Sequence, residues 1–220
     1  MEELTKHKIF TMEATKRDAL LTVAMSKFAK NGYKKTTTDE IILEAEISKG
    51  LLFHYFGTKK DLFIFMFQYA VATIMKEYYA QIDMKERDIL KRLRNTFSLK
   101  LKLTNKYPAI FDFVATAFFE KDPAVAGKIH QYADQMYFDA QNEILKNIDQ
   151  SLFKENMDIQ KAVDIIIFTL RGYSESQASP KKCVEDYSKE HERYIREMDE
   201  YITVLRTAFY KEEKEYEICL

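Results

Sequence analysis

Glycine and proline are scarce in this 220-residue chain, five and three in number, and tryptophan is absent. So few turn-formers exclude a collagen-like, low-complexity or many-turned all-β chain. The two cysteines, Cys183 and Cys219, stand far apart and outside any CxxC pattern. That excludes a disulfide framework and fits reduced thiols in cytosol. No secretory pattern is visible at the amino terminus. The longest dense apolar run, Leu62 to Phe67, falls far short of the roughly 20 residues of a membrane span. The expectation is a cytoplasmic protein with no membrane partner.

Signatures of catalysis are missing too. His7, His54, His130 and His191 share no metal-ligand spacing, and no HExxH motif or paired Cys/His cluster occurs. Gly172-Tyr173-Ser174-Glu175-Ser176 starts like a nucleophile elbow but lacks the last glycine, and it lies in a helical pattern. There is no glycine-rich phosphate loop. No catalytic residue, metal site or cofactor is expected.

What remains is helix. Hydrophobic residues make up 46% of the chain and charged residues 31%, and long stretches repeat with a period near 3.6. An all-α protein of about nine helices follows. The net charge of −1 does not by itself point to nucleic acid. Its distribution is uneven: residues 1–60 carry 11 basic and 8 acidic side chains, the remainder 23 and 27. Lys27, Lys30, Lys34 and Lys35 cluster near the amino-terminal positive end, where a solvated face explains them as well as phosphate attraction does.

Residues 28–62, FAKNGYKKTTTDEIILEAEISKGLLFHYFGTKKDL, hold four helix boundaries. Leu20, Val23, Ala24 and Phe28 mark an amphipathic helix that Asn31-Gly32 ends. Thr37 and Glu40 have capping-box spacing, and Ile41 and Ala45 face inward from the short helix that follows. Ser48 is the next N-cap, opening a helix that Gly57 closes. Thr58 and Asp61 make a second capping box, and Leu62, Phe63, Met66, Tyr69 and Ala70 begin a long helix. Two short helices around a tight turn, the second with hydroxyl, amine, imidazole and phenol groups on one side, is how a helix-turn-helix meets a DNA groove.

The ordered matches Phe28-Ala29, Gly32-Tyr33, Thr36-Thr37, Ile41, Ala45, Ile47-Ser48, Gly50, Phe53-His54-Tyr55-Phe56 and Lys59 through Leu62 resemble the DNA-binding domain of the TetR family of transcriptional repressors. The resemblance covers the first quarter to third of the chain. Ile42, Glu46 and Phe53 depart from it, standing where alanine, glycine and tyrosine are usual. Glutamate at a left-handed turn position costs roughly 1–2 kcal/mol.

The resemblance implies that the third helix enters the major groove of double-stranded operator DNA. Lys49, Leu51, Leu52 and His54 are then candidates for base edges, and Gly50 counts among the DNA-binding positions. Thr37, Ser48, Tyr55 and Lys59 are candidates for phosphates. Hydroxyls and helix-start amides favour anions independently of the resemblance. Tyr55 also reads as a core residue, and Phe56 chiefly so.

Past Asp83–Asp88, a polar break, helices are expected from Ile89 and over Ala109–Phe119. Further helices are expected from Asp122-Pro123 to about Ile148, near 157–177 and near 182–213, with a charged tail after Tyr210 prone to fray. The expected division is a DNA-binding domain over 1–59 and a ligand-binding and dimerisation domain over 60–220. Asp164 to Leu170 is apolar around much of its circumference, and Gly172, Ser176 and Ala178 permit close helix approach. This suits a homodimer through the last two helices, as the resemblance implies, or a monomeric core helix. Phe97, Phe118, Tyr137 and Phe168, with Arg171, fall on helices that could surround a pocket for an unidentified small hydrophobic or aromatic effector. Ordinary core packing accounts for any one of them.

Two functions from different classes remain. One is a ligand-responsive regulator, a repressor released from a palindromic operator. The other is an all-helical ligand-binding or interaction protein whose helix-turn-helix is DNA-inactive, with Glu46 the suspicious feature.

Overall fold

Side-chain caps set where the amino-terminal helices begin. In the computed structural model, which describes residues 4, 6–177 and 189–212, α1 spans Ala14–Lys35, α2 Thr38–Glu44, α3 Lys49–Phe56 and α4 Lys59–Tyr79. Thr37 Oγ1 accepts from the Glu40 amide at 3.2 Å, and Glu40 Oε2 accepts from the Thr37 amide at 3.1 Å, which completes the expected capping box. Ser48 Oγ caps α3 through the Leu51 amide at 3.2 Å. Thr58 Oγ1 accepts from the Asp61 amide at 3.1 Å, but Asp61 takes the Thr58 hydroxyl at 2.6 Å instead of its amide. That amide is engaged with the Phe56 carbonyl at 2.8 Å, so only half a box forms. Gly32 breaks the path of α1 at φ 70, ψ 179, a region open essentially to glycine alone.

Five more helices follow: α5 Ile89–Lys106, α6 Pro108–Phe118, α7 Ala126–Ile144, α8 Ile159–Gln177 and α9 His191–Phe209. The fold is all-α as expected, with nine α-helices and no strand among the described residues. α7 starts later than Asp122-Pro123 suggests. The Asp122 carbonyl accepts from Val125 and Ala126 at 3.0 and 2.9 Å in a turn of its own, and Val125 at φ −123 separates that turn from the helix. Ala178, Cys183, Cys219, the expected first turns of the last helix and the tail beyond 212 lie outside the described residues.

Two hydrophobic cores form. One joins α1–α4 to Phe113 and Ala117 of α6 and to Val125 and Ile129. It also takes in an amino-terminal 3-10 turn, Lys8–Thr11, through Ile9 and Met12. The other gathers Ile89, Leu90, α8, α9 and Phe153. Packing therefore runs across 59/60: Leu62 through Val71 of α4 belong to the first core, so α4 and α6 carry the helix-turn-helix on a continuous apolar base.

Buried polar groups tie the second core together. Asp88 caps α5 and accepts from Arg206 at 2.7 Å and from the Tyr210 hydroxyl at 2.9 Å, joining the start of α5 to the end of α9. Arg92, fully buried, donates to the carbonyls of Ile144 and Lys146 at 2.6 and 2.7 Å and to that of Glu86, closing the end of α7. No helix among the described residues is long and apolar enough to cross a membrane.

Candidate functional site

The turn between α2 and α3 keeps its left-handed residue although that residue is glutamate. Glu46 has φ 51. The Ile47 amide reaches back to the Ile42 carbonyl at 3.2 Å and the Glu46 amide to that of Leu43 at 3.4 Å, the hydrogen-bond pattern of a Schellman turn. Ile42 and Ile47 stand at the two positions whose apolar contact commonly accompanies such a turn. The side chain of Glu46 is exposed. This departure from the family pattern is thus absorbed as local strain.

Capped at Ser48, α3 presents Lys49, Gly50 and His54 to solvent, with Leu51, Phe53 and Tyr55 half-buried. His54 and Tyr55 meet edge to face at 5.0 Å. Lys49 pairs with Asp39 of α2 at 3.2 Å; both ends are exposed, so a competing anion displaces the pair at little cost. Thr37 and Ser48 lie exposed at the starts of α2 and α3. Leu52 corrects the sequence reading. It is 1% exposed in the first core and cannot reach a base, because the helical period turns it to the side shared with Phe56.

Lys59 is more occupied than a phosphate ligand need be. Its Nζ donates to the carbonyls of Tyr33 and Thr36, both at 3.0 Å, and sits 4.5 Å above the Tyr33 ring. The cation therefore closes the carboxy end of α1. The amide of the same residue is held from far along the chain: Glu120 Oε2 accepts the Tyr33 N–H at 2.9 Å. Glu120 Oε1 accepts from Lys121 and Asp122 at 2.9 and 3.0 Å, fixing the corner after α6. Thr116 adds a bond to the Ala29 carbonyl at 3.1 Å. Periodicity and capping gave no sign of Glu120, since its partner lies 87 positions away.

Of the five residues expected around an effector, two are brought into contact, and a third packs elsewhere on α8. Arg171 of α8 lies 3.9 Å over the Tyr137 ring of α7, and Phe97 of α5 packs against Tyr173 of α8 at 6.2 Å. Phe118 and Phe168 do not join them. Phe118 is 44% exposed at the end of α6, against Phe119 and His130. Phe168 is 70% exposed on the row of α8 that includes Ile165. That row points away from the second core, because Ile166, Ile167 and Leu170 take up the inward positions. A cavity of about 340 Å³ lies elsewhere, lined by Leu145, Asn147, Ile148, Gln150, Ile159, Gln160 and Val163. No group of His, Cys, Asp and Glu among the described residues is arranged to hold a metal.

Residues 20–65 match the model of the bacterial regulatory proteins of the tetR family. Over 137 residues, 59% of this chain and 69% of the relative, the sequence is 33% identical to the HTH-type transcriptional regulator QacR of Staphylococcus aureus. It is 32% identical to HbdR of Aromatoleum sp. over 68 residues, 31% of this chain and 30% of that one. The fold is similar to a tetR family transcription regulator from Shewanella sp. PV-4, with TM-score 0.62, 18% identity, and 90% and 100% of the two chains covered. It is also similar to SmeT, the repressor of a Stenotrophomonas maltophilia multidrug efflux pump, with TM-score 0.61, 15% identity, and 92% and 93% covered. With its helix-turn-helix intact and a relative of this identity matched over more than two thirds of its length, the chain belongs to the TetR family of bacterial regulatory proteins and is a DNA-binding transcriptional regulator.

Proposed function

We propose that the protein represses transcription as a homodimer on a palindromic operator and leaves it when a small organic effector binds the domain formed by residues 60–220. The observation that carries the DNA reading is the row Lys49, Gly50, Leu51, His54 and Tyr55 on a helix capped at Ser48 and backed by buried Leu52 and Phe56. In this reading Lys49, Leu51 and His54 face base edges, with Gly50 permitting close approach, while Thr37, Ser48 and Tyr55 take phosphates. Lys59 contributes its charge from beneath rather than its full set of donors. The DNA-inactive alternative rests on Glu46; the retained turn argues for the DNA reading, while the Glu46 carboxylate still stands near the expected phosphate path.

Release requires an effector that prefers the conformation unable to bind DNA. Helix α4, the packing of α6 and the bonds of Thr116 and Glu120 are links by which such a preference reaches the reading head. The test of the DNA reading is binding to the DNA upstream of the protein's own gene across a salt series. A specific site whose affinity falls steeply with salt supports it. No site at low salt would overturn it.

A further inference from the structure

The corner that ends α7 is fixed by residues that take no part in lining the cavity beside it. Asn147 turns the chain at φ 57, in the left-handed region that asparagine enters more readily than most side chains. The backbone groups of the corner are spent on α5 and its approach. Arg92 takes the carbonyls of Ile144 and Lys146, and Arg87 Nε donates to that of Asn147 at 3.2 Å. The Arg87 carbonyl accepts from the Asp149 amide at 2.9 Å, and Asp149 caps the turn Gln150–Leu152 through the Ser151 amide at 3.0 Å. Bonds of this number hold the corner off the first turns of α8, and the cavity of about 340 Å³ lies between the two. Its size is at the lower end of the roughly 300–1,000 Å³ of small-molecule sites, which are usually preformed.

Two chemistries line it. Leu145, Ile148 and Ile159 are half-buried against the second core and Val163 is part of that core, so the deeper wall is aliphatic. Asn147, Gln150 and Gln160, all exposed, put amides at the rim. Each amide offers an acceptor and donors without charge. Asp164 takes one N–H of Gln160 at 2.9 Å, which leaves the Gln160 carbonyl oxygen as an acceptor on the α8 side. No lining residue is charged. An ion entering against the aliphatic wall gives up hydration and meets no opposite charge there. A neutral ring bearing an amide buries its apolar part and trades water for side-chain amides.

We infer that the cavity between the end of α7 and the start of α8 is a binding site for a small uncharged organic molecule, an apolar ring carrying an amide-like donor and acceptor. The inference goes beyond the effector reading: it assigns a place and a ligand charge, and it holds whether or not occupancy releases DNA. Three probes of similar size test it on the full chain: acetanilide, neutral with an amide, phenylacetate as the anion and phenethylammonium as the cation. Methyl NMR follows Leu145, Ile148, Ile159 and Val163. Acetanilide is expected to move these four signals with a dissociation constant on the order of millimolar, as suits so small a ligand. Either ion is expected to bind at least about tenfold more weakly. Gln160→Leu, at an exposed position, should weaken acetanilide about fivefold, the share of one hydrogen bond. Ile159→Trp should fill the space and abolish the shifts, with the methyl signals of α9 unmoved as the check on folding. Signals that stay fixed up to the solubility limit of acetanilide, or shifts confined to other methyl groups, would overturn the site. An ion that binds as tightly as acetanilide, or an acetanilide affinity indifferent to Gln160→Leu, would overturn the ligand class.

Discussion

At Glu46 an acidic residue holds the left-handed position of a turn that glycine would fill without strain. Glu46→Gly is expected to stabilise the protein by about 1 kcal/mol in denaturant unfolding, the lower end of the left-handed penalty for L-residues. It should also strengthen binding to any DNA at low salt, since one carboxylate leaves the expected phosphate path. A variant no more stable than the parent would show the turn to be unstrained. His7 makes a second prediction, on pH. Its Nδ1 accepts from the Ile9 amide at 3.2 Å while its ring lies 4.4 Å from Phe65 and 5.4 Å from Phe56. Burial first, then Lys8, hold its pKa below the ordinary 6.5. The folded state therefore favours neutral His7, and the stability this gives is present above about pH 6.5 and lost as pH falls towards and through the lower folded value. His7→Phe keeps a ring in the stack and should flatten that part of the melting-temperature profile between pH 7 and 5. An unchanged slope would place the sensitivity elsewhere. Both sites show what one sequence can disclose: Glu46 was visible as a departure at a turn, whereas the aromatic neighbours of His7 lie 49 and 58 positions on and left no local mark.

Helix starts are legible because a cap and the amide it receives sit three residues apart: Thr37 and Glu40 complete their box, Ser48 caps through Leu51, and Thr58 with Asp61 forms half of its box. Contacts between elements were not legible, and the bond from Glu120 to the Tyr33 amide is the plainest case. There one residue, Tyr33, is gripped at both backbone groups, its amide by Glu120 from the α6 corner and its carbonyl by Lys59 from the start of α4. Glu120→Ala should free that amide, so hydrogen exchange over residues 33–37 quickens while the α8 and α9 amides keep their protection. Operator affinity should fall with it, because the turn that aims α2 and α3 loses its outer hold. Glu120→Gln keeps one acceptor and should fall between the two. Exchange unchanged at residues 33–37 would mean the bond contributes nothing to the orientation of the head. Lys59 is tested by the same logic. A pure phosphate ligand changed to alanine would lose about one unit of salt slope and no stability. Since Lys59 also holds two carbonyls, Lys59→Ala should in addition lower unfolding stability by about 1.5–3 kcal/mol, the range for hydrogen bonds to charged groups.

A palindrome needs two reading heads, and the surface that would join two copies is apolar and open. Ile165 and Phe168 of α8, with Tyr201 and Val204 of α9, are the exposed large apolar side chains of the last two helices, Phe168 at 70% and Val204 at 68%. Sequence periodicity recognised that the stretch from Asp164 to Leu170 is apolar on more than one side. It could not divide the residues between the protomer's own core, which takes Ile166, Ile167 and Leu170, and the outer face, which keeps Ile165 and Phe168. Phe168 was therefore assigned to a pocket when it belongs to a surface. Gly172 lies one turn on, and a Cβ placed there meets nothing within 4 Å of its own protomer. Gly172→Leu should consequently leave each subunit folded, gaining up to about 1 kcal/mol of helix propensity, while it wedges a partner's helices apart. Two half-sites about 34–36 Å apart, one DNA turn, demand both heads at once, so dimer and operator affinity should fall together. Sedimentation at micromolar concentration is expected to show twice 26.0 kDa for the parent and a shift towards 26.0 kDa for Gly172→Leu and for Phe168→Glu. A parent that sediments as a 26.0 kDa monomer would reject the pairing of α8 and α9. Variants that stay fully dimeric would move the interface to another face. Variants that become monomeric yet hold the full operator as tightly would break the link between dimer formation and DNA recognition.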